Sequence, residues 1–181
     1  HTLQFFAERV EGNLLAAHQE IQKLALLYPA GELSFEQVER AVLNVARYDV
    51  FKLSEAVLSG QPLRVQRMLD GLKAEGEAEV LVHYTLAEEI RALKRVKDAM
   101  AAGKALPMAL REQRIWGPRE RLFERVLPRL NAGMLEKLLQ SAHQVDGIVK
   151  GLKTPDWPAD NWQALHRLAM RLCRACMPRN A

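Results

Sequence analysis

Apolar residues recur at spacings of three and four along nearly the whole chain, which is the period of an amphipathic α-helix. An early run is Leu14, Ala17, Ile21, Leu24 and Tyr28, and a longer one is Val82, Leu86, Ile90, Leu93, Val96 and Met100. No alternating apolar and polar run is long enough to predict a strand. Aromatic residues are only 6% of the 181 residues, which also favours helix over sheet. The chain is therefore predicted to be all-α.

Helix breakers and caps divide this pattern. A short first helix carries Phe5, Phe6 and Val10, and a second covers residues 14–28. Ser34 and Gln37 have the spacing of a capping box, so they open a third helix, predicted through Val38, Val42 and Val45. A short helix ending at Ser59-Gly60 follows. Further helices are predicted over 62–75, 78–102, 107–113, 118–130 (with Pro128 bending or ending it), 131–152 and 160–176.

The composition shifts near residues 47–51, and we place a domain boundary there. Residues 1–49 are predicted to form a small three-helix bundle, and residues 50–181 a larger helical domain. The charge shifts at the same place. Residues 1–50 hold four Lys/Arg against seven Asp/Glu, whereas the remainder holds 22 against 15. A basic half is compatible with a nucleic-acid partner, but an excess of this size is also typical of a solvated surface.

Several classes of protein are excluded by what the sequence lacks. No apolar run approaches the ~20 residues that cross a bilayer, so no membrane partner is expected. Two cysteines cannot form a disulfide framework, which indicates a reducing cytoplasm. The chain lacks an initiator Met and starts inside an amphipathic pattern, so we expect it to be a piece of a longer protein.

The candidates for catalysis and metal binding are few. Cys173 and Cys176 form a lone C-x-x-C, and His166 adds only a third potential ligand, whereas a structural zinc site needs four. The pair lies at a predicted helix C-terminus, where the dipole opposes a thiolate, so we interpret both as ordinary helical cysteines. Glu79 and His83 are interpreted as a surface pair on one helix. No nucleotide-binding or hydrolase motif occurs, and we predict no cofactor and no catalytic site.

Residues 104–130 carry seven basic residues against three acidic ones and surround Trp116. Arginine pairs with phosphate, and an indole offers a stacking face to an unpaired base. Candidate DNA-binding residues are Trp116, Arg114, Arg119 and Arg121. Periodicity alone favours a different interpretation, in which Trp116 is buried between two helices and the arginines point to water.

Residues 11–24 read EGNLLAAHQEIQKL, which resembles the lid-domain signature of the delta subunit of the bacterial DNA polymerase III clamp loader. Weaker matches follow in the order expected for that family. They are Val38, Ala41 and Val42 before Asp49-Val50-Phe51; Leu72 and Glu75-Gly76; Arg114-Ile115-Trp116 and Arg119; and Asp146, Lys150 and Gly151 before Trp162-Gln163-Ala164-Leu165. The resemblance covers essentially the whole chain.

This resemblance implies that residues 1–49 are the lid of an AAA+ architecture and residues 50–181 the helical collar. Delta subunits open the sliding clamp for loading on primed DNA in replication, through an N-terminal domain that this sequence does not contain. They belong to a polymerase holoenzyme, a nucleotidyltransferase, without hydrolysing ATP themselves. The implied collar partners are the gamma or tau subunits and delta prime. A tryptophan corresponding to Trp116 is linked in the family to single-stranded template. The second aromatic that some members carry after the Lys-Gly step is replaced here by Leu152-Lys153.

Two other functions stay open at this stage. A free-standing helical nucleic-acid-binding protein would use the basic 104–130 face and would bind DNA strongly and in a salt-dependent way by itself. A catalytic helical domain would be built around Cys173, Cys176 and His166 and would need bound metal or a reactive thiol.

Overall fold

The computed structural model describes residues 1–42 and 49–178, and within them it contains helices and no strand. The predicted all-α class is therefore confirmed. The α-helices are α1 Thr2–Arg9, α2 Leu14–Leu27, α3 Phe35–Ala41, α4 Val50–Leu58, α5 Pro62–Ala74, α6 Glu79–Ala101, α7 Leu106–Glu112, α8 Pro118–Val126, α9 Ala132–Val149 and α10 Asn161–Cys176, with a 3₁₀ turn at Leu127–Arg129 after α8. The chain divides into two compact units, His1–Asp49 and Val50–Ala181.

The first unit is built from α1, α2 and α3 around a small apolar core. Each core residue exposes less than a tenth of its surface; these residues are Leu24, Val38, Ala41 and Val42. The partly buried side chains of Phe5, Phe6, Tyr28 and Leu33 pack against them. The predicted capping box opens α3: Ser34 Oγ accepts from the Gln37 amide at 3.3 Å, and Gln37 Oε1 accepts from the Ser34 amide at 2.8 Å. Because each side chain satisfies a free amide at the helix start, the box fixes where α3 begins.

Two predictions for this unit are wrong. In the expected stripe on α2 only Leu24 is buried, whereas Leu14 is 90% exposed and Ile21 54% exposed. The buried positions on α2 are instead spaced by four residues: Ala16, Glu20 and Leu24. Three short helices cover only a narrow face, so most of the leucines on α2 remain in solvent. The third helix ends at Ala41, because Val42 has extended backbone angles; Val45 lies outside the described residues.

The second unit packs α4 to α10 around the long helix α6, which contacts α9, α10, α4 and α7. The predicted stripe on α6 is confirmed: Val82, Leu86, Ile90, Leu93 and Val96 are all fully buried, and Met100 is half-buried. On α10, Leu165, Leu168, Leu172 and Cys176 are fully buried. The break predicted at Pro128 is confirmed, since α8 gives way to the 3₁₀ turn there.

Side chains near the end of the chain attach the loop before α10 to the bundle. Trp157 Nε1 donates to Gln144 Oε1 at 2.8 Å, and the Arg171 guanidinium lies 4.6 Å from the Trp157 ring centroid. Asp146 and Lys150, four residues apart at the end of α9, form an ion pair at 2.6 Å. The two Trp157 contacts hold the 152–160 segment against α9 and α10.

The predicted surface pair of Glu79 and His83 is wrong. His83 is only 6% exposed, because α9 covers this face of α6. Its Nε2 lies 2.8 Å from the Ala142 carbonyl oxygen, and its Nδ1 lies 3.7 Å from Asp146 Oδ1. Glu79 instead accepts a hydrogen bond from Asn161 Nδ2 at 2.5 Å. His83 is thus a packing residue between two helices.

Within residues 1–42 and 49–178, no helix combines the length and the apolar composition needed to cross a bilayer.

Candidate nucleic-acid interface

The turn between α7 and α8 determines where the Trp116 side chain points. Arg114 has a left-handed backbone, with φ of 55°. Its amide donates to the Arg111 carbonyl at 3.0 Å, and the Ile115 amide donates to the Leu110 carbonyl at 3.0 Å. This pair of bonds is a Schellman motif, and the apolar residue that follows such a motif packs back onto the helix. Ile115 is accordingly only 2% exposed.

Trp116 is 65% exposed, because the chain turns outward directly after the buried Ile115. Gly117 then adopts φ 64° and ψ −138°, a conformation that favours glycine, and Pro118 begins α8. The turn is thus fixed on both sides of the tryptophan. The interpretation in which Trp116 is buried between two helices is wrong.

The predicted arginines fall into two groups. Arg114 and Arg121 are exposed, and neither forms an ion pair within the described part of the chain. Arg119 is different: its Nη2 lies 3.0 Å from Glu89 Oε1, and its guanidinium lies 5.2 Å from the Phe123 ring centroid. The structure therefore leaves two of the three arginines open to a phosphate and ties the third to α6.

Glu89 is the buried partner in this ion pair, with a side chain only 9% exposed against 38% for Arg119. Burial raises the pKa of the Glu89 carboxyl above its ordinary value, and the Arg119 charge acts in the opposite direction. Arg119 thus stabilises a carboxylate that would otherwise be unfavourable in the interior. Because Arg119 is one residue after Pro118, the ion pair also holds the start of α8 against α6.

Trp116 borders a groove of about 470 Å³ between α4, α6 and the start of α8. Tyr84 lies on the same groove and is 56% exposed. Sequence reasoning missed Tyr84. In the sequence, Tyr84 is visible as an aromatic residue on the polar side of α6, outside the buried stripe. Nothing in the sequence places it on the same groove as Trp116, 32 positions later.

The Cys173 and Cys176 side chains are fully buried in α10. Burial raises the pKa of the Cys173 thiol and raises the pKa of Cys176 to about 12. A nucleophilic cysteine needs a lowered pKa and access to solvent, so neither thiol has the properties of a catalytic group. No group of three or more His, Cys, Asp or Glu side chains placed to hold a metal ion occurs among the residues that the structure describes.

Comparison with known proteins gives consistent results. Residues 50–179 match the family model described as the processivity clamp loader gamma complex DNA pol III C-term. DNA polymerase III subunit delta of Escherichia coli K12 is 31% identical over 163 residues, and that of Haemophilus influenzae 28% over 171 residues. Each alignment covers 90% of this chain but only 46% and 48% of the respective relative. The chain thus spans about half the length of these relatives.

A solved structure supports the fold. The Bacillus subtilis DNA clamp loader delta protein superimposes with a TM-score of 0.53 at 17% identity, over 95% of this chain and 50% of that one. Since the family model covers well over half of the sequence, this chain belongs to the DNA polymerase III clamp-loader delta family, whose C-terminal domain its residues 50–179 match.

Proposed function

We propose that this chain is the lid and collar portion of a clamp-loader delta subunit and that it serves assembly of the loader in DNA replication. Residues 1–49 would be the three-helix lid and residues 50–181 the collar. The observation that carries the proposal is that the residues matched by the family model, 50–179, are almost the same as those of the second compact unit, Val50–Ala181.

The proposed partners follow from membership of the family. The collar would join the gamma or tau subunits and delta prime, and the lid would set the angle between the collar and an N-terminal domain. That domain would carry the contact with the sliding clamp, so the residues of this chain would not open the clamp by themselves. The chain would act in the cytoplasm without a catalytic site or cofactor of its own, as part of a nucleotidyltransferase holoenzyme.

The second part of the proposal is a contact with single-stranded template DNA at Trp116. Its support is the exposure of the indole on a turn that is fixed on both sides. Arg114 and Arg121 are exposed on the same segment and would pair with phosphates. Arg119, which the sequence also suggested, would act by holding the segment through Glu89.

Replacing Trp116 by alanine in a loader that contains the full-length subunit is expected to weaken primer–template binding by roughly 5- to 150-fold, because base stacking on an aromatic contributes about 1–3 kcal/mol. Fluorescence anisotropy with a labelled primer–template measures the change. Leu63→Ala is the matched control, since Leu63 is also an exposed large apolar side chain, at 74%, and lies on α5. Assembly should be unaffected in both variants. Unchanged DNA affinity in Trp116→Ala would remove this part of the proposal.

The alternative, a free-standing nucleic-acid-binding protein, has less support. Three of the seven basic residues in 104–130 are engaged within the second unit. Lys104 pairs with Glu112 at 2.6 Å, Arg119 pairs with Glu89, and Arg129 Nη1 donates to the Cys176 carbonyl at 2.7 Å. The positive charge that this segment exposes is therefore smaller than its count of basic residues indicates. This predicts weak DNA binding by the isolated chain. A DNA titration at several salt concentrations distinguishes the two functions, because a strong, steeply salt-dependent affinity would favour the alternative.

A further inference from the structure

We propose that the groove between α5 and α10 binds an acidic amphipathic helix that a partner protein presents. The groove lies in the second unit and has a volume of about 640 Å³, larger than the groove beside Trp116. Neither Trp116 nor any other residue of 104–130 lines it. The site is therefore independent of the proposed DNA contact, and it would act in addition to the proposed assembly role.

The floor of the groove is apolar. Leu69 on α5 is 2% exposed, and Trp162 and Met170 on α10 are half-buried. Trp162, His166 and Met170 follow one another at intervals of four residues, so they lie on one face of α10, beside α5. An amphipathic helix binds such a groove through apolar side chains at every third or fourth position. Methionine suits these sites because its flexible thioether adapts to the shape of a partner.

The rim of the groove is strongly positive. Its cationic side chains outnumber the acidic ones by four to one; they are Lys73, Arg167, Arg171 and Arg174, against Asp70. None of the four cations pairs with a carboxylate within the part of the chain that the structure describes. The groove beside Trp116, in contrast, is lined by three carboxylates and one arginine. The excess of cations between α5 and α10 is thus complementary to an acidic ligand.

Two of these arginines are held in place by neutral groups. The Arg167 guanidinium lies 5.4 Å from the Trp157 ring centroid, and its Nη1 donates to the Asp156 carbonyl at 2.6 Å. The Arg171 guanidinium lies 4.6 Å from the same ring, and its Nη1 donates to Ser141 Oγ at 2.8 Å. Both positive charges therefore remain available, and both side chains lose little entropy when an acidic ligand binds.

The positive surface continues on the other side of α10. A groove of about 560 Å³ between α9 and α10 is lined by Lys137 and Arg171 and by no carboxylate of the described residues. Arg171 borders both grooves. An acidic segment that lies along α10 would therefore meet cations on both of its sides.

This combination favours a protein helix over a strand of DNA. Phosphates would pair with the cationic rim, but Leu69 and Met170 on the floor offer no flat face on which a base could stack. Leucine or phenylalanine side chains would bury their apolar surface on this floor, while Asp and Glu beside them would face the rim. A concave groove also fits a single protruding segment better than the flat face of a neighbouring subunit.

The test measures binding of a fluorescein-labelled peptide by fluorescence anisotropy. The peptide is an amphipathic helix with leucines on one face and glutamates beside them. We expect it to bind both to this chain and to a loader that contains the full-length subunit. The same peptide with lysines in place of the glutamates should bind at least roughly tenfold more weakly. The affinity for the acidic peptide should fall as the salt concentration rises.

Lys73→Glu/Arg174→Glu reverses one cation on each wall of the groove. Both side chains are exposed and form no ion pair in the described part of the chain, so the fold should be retained. This double variant is expected to weaken binding of the acidic peptide roughly tenfold, and Met170→Ala roughly fivefold. Lys52→Glu/Arg111→Glu is the matched control, because it makes the same change of charge at two exposed residues outside the groove.

Three results would overturn the proposal. Equal affinity for the acidic and basic peptides, or unchanged affinity in the groove variants, would mean that this groove does not select an acidic helix. Binding of single-stranded oligothymidylate that is lost in the double variant, without binding of the acidic peptide, would make the groove a nucleic-acid site. Peptide binding by the chain that disappears in the assembled loader would mean that a loader subunit fills the groove. Loader assembly itself is measured separately by native mass spectrometry.

Discussion

Replacing Leu86 by alanine is expected to lower the free energy of unfolding of the second unit by about 2–5 kcal/mol. Leu86 is fully buried in the middle of α6, the helix that contacts α4, α7, α9 and α10. The substitution removes apolar contacts and leaves a cavity, and four packed helices can close such a cavity only in part. A loss of this size is a large share of the stability of a domain this small.

Urea titration followed by tryptophan fluorescence measures this change. All three tryptophans (Trp116, Trp157 and Trp162) lie in residues 50–181, so their signal reports the second unit. Leu63→Ala is the matched control, because Leu63 is 74% exposed and the same truncation there should change stability by no more than about 0.5 kcal/mol. Equal losses in the two variants would contradict the central position of α6.

Replacing Arg119 by methionine is expected to destabilise the second unit by about 3 kcal/mol at pH 7, because it leaves the Glu89 carboxylate buried without its partner. Methionine keeps much of the aliphatic stem, so the loss reports the charge more than the packing. Arg121→Met is the matched control: Arg121 is exposed on the same helix and forms no ion pair in the described part of the chain, so its loss should be within about 0.5 kcal/mol.

The pH dependence of this variant has a definite sign. Burial holds the folded pKa of Glu89 above its ordinary value of 4.5, so the folded state binds a proton more readily than the unfolded state does. The contribution of Glu89 to the free energy of unfolding is fully present below pH 4.5 and is lost as the pH rises through the folded pKa. Removing Arg119 raises that pKa further, so the deficit of the variant should be larger at pH 7 than at pH 5. A deficit that is constant between these pH values would contradict this role of Glu89.

The sequence predicted the buried face of a helix best for α6, a long helix that other helices cover on several sides. On α6 the spacing of Val82, Leu86, Ile90 and Leu93 identified the buried face, because the helices packed around it leave no competing apolar face. On α2 the same reasoning chose the wrong face. Leucines occur around most of that helix, and a small three-helix unit buries only a narrow part of it, so periodicity alone could not select among them.

The candidate site was predictable only in part, because its geometry depends on contacts between distant residues. The arginines around Trp116 were visible in the sequence as a local cluster. The exposure of Trp116 was not, since helical periodicity does not apply to a residue in a turn between α7 and α8. The Arg119–Glu89 ion pair and the position of Tyr84 depend on how α8 packs against α6, across about 30 residues of sequence.

Native mass spectrometry of this chain with the gamma or tau subunits and delta prime of the same source tests the proposed assembly role most directly. We expect a complex that contains one copy of the chain together with these partners, because the collar residues 50–179 would supply the contacts. If the partners assemble among themselves and leave the chain free, residues 50–181 do not serve as an assembly collar.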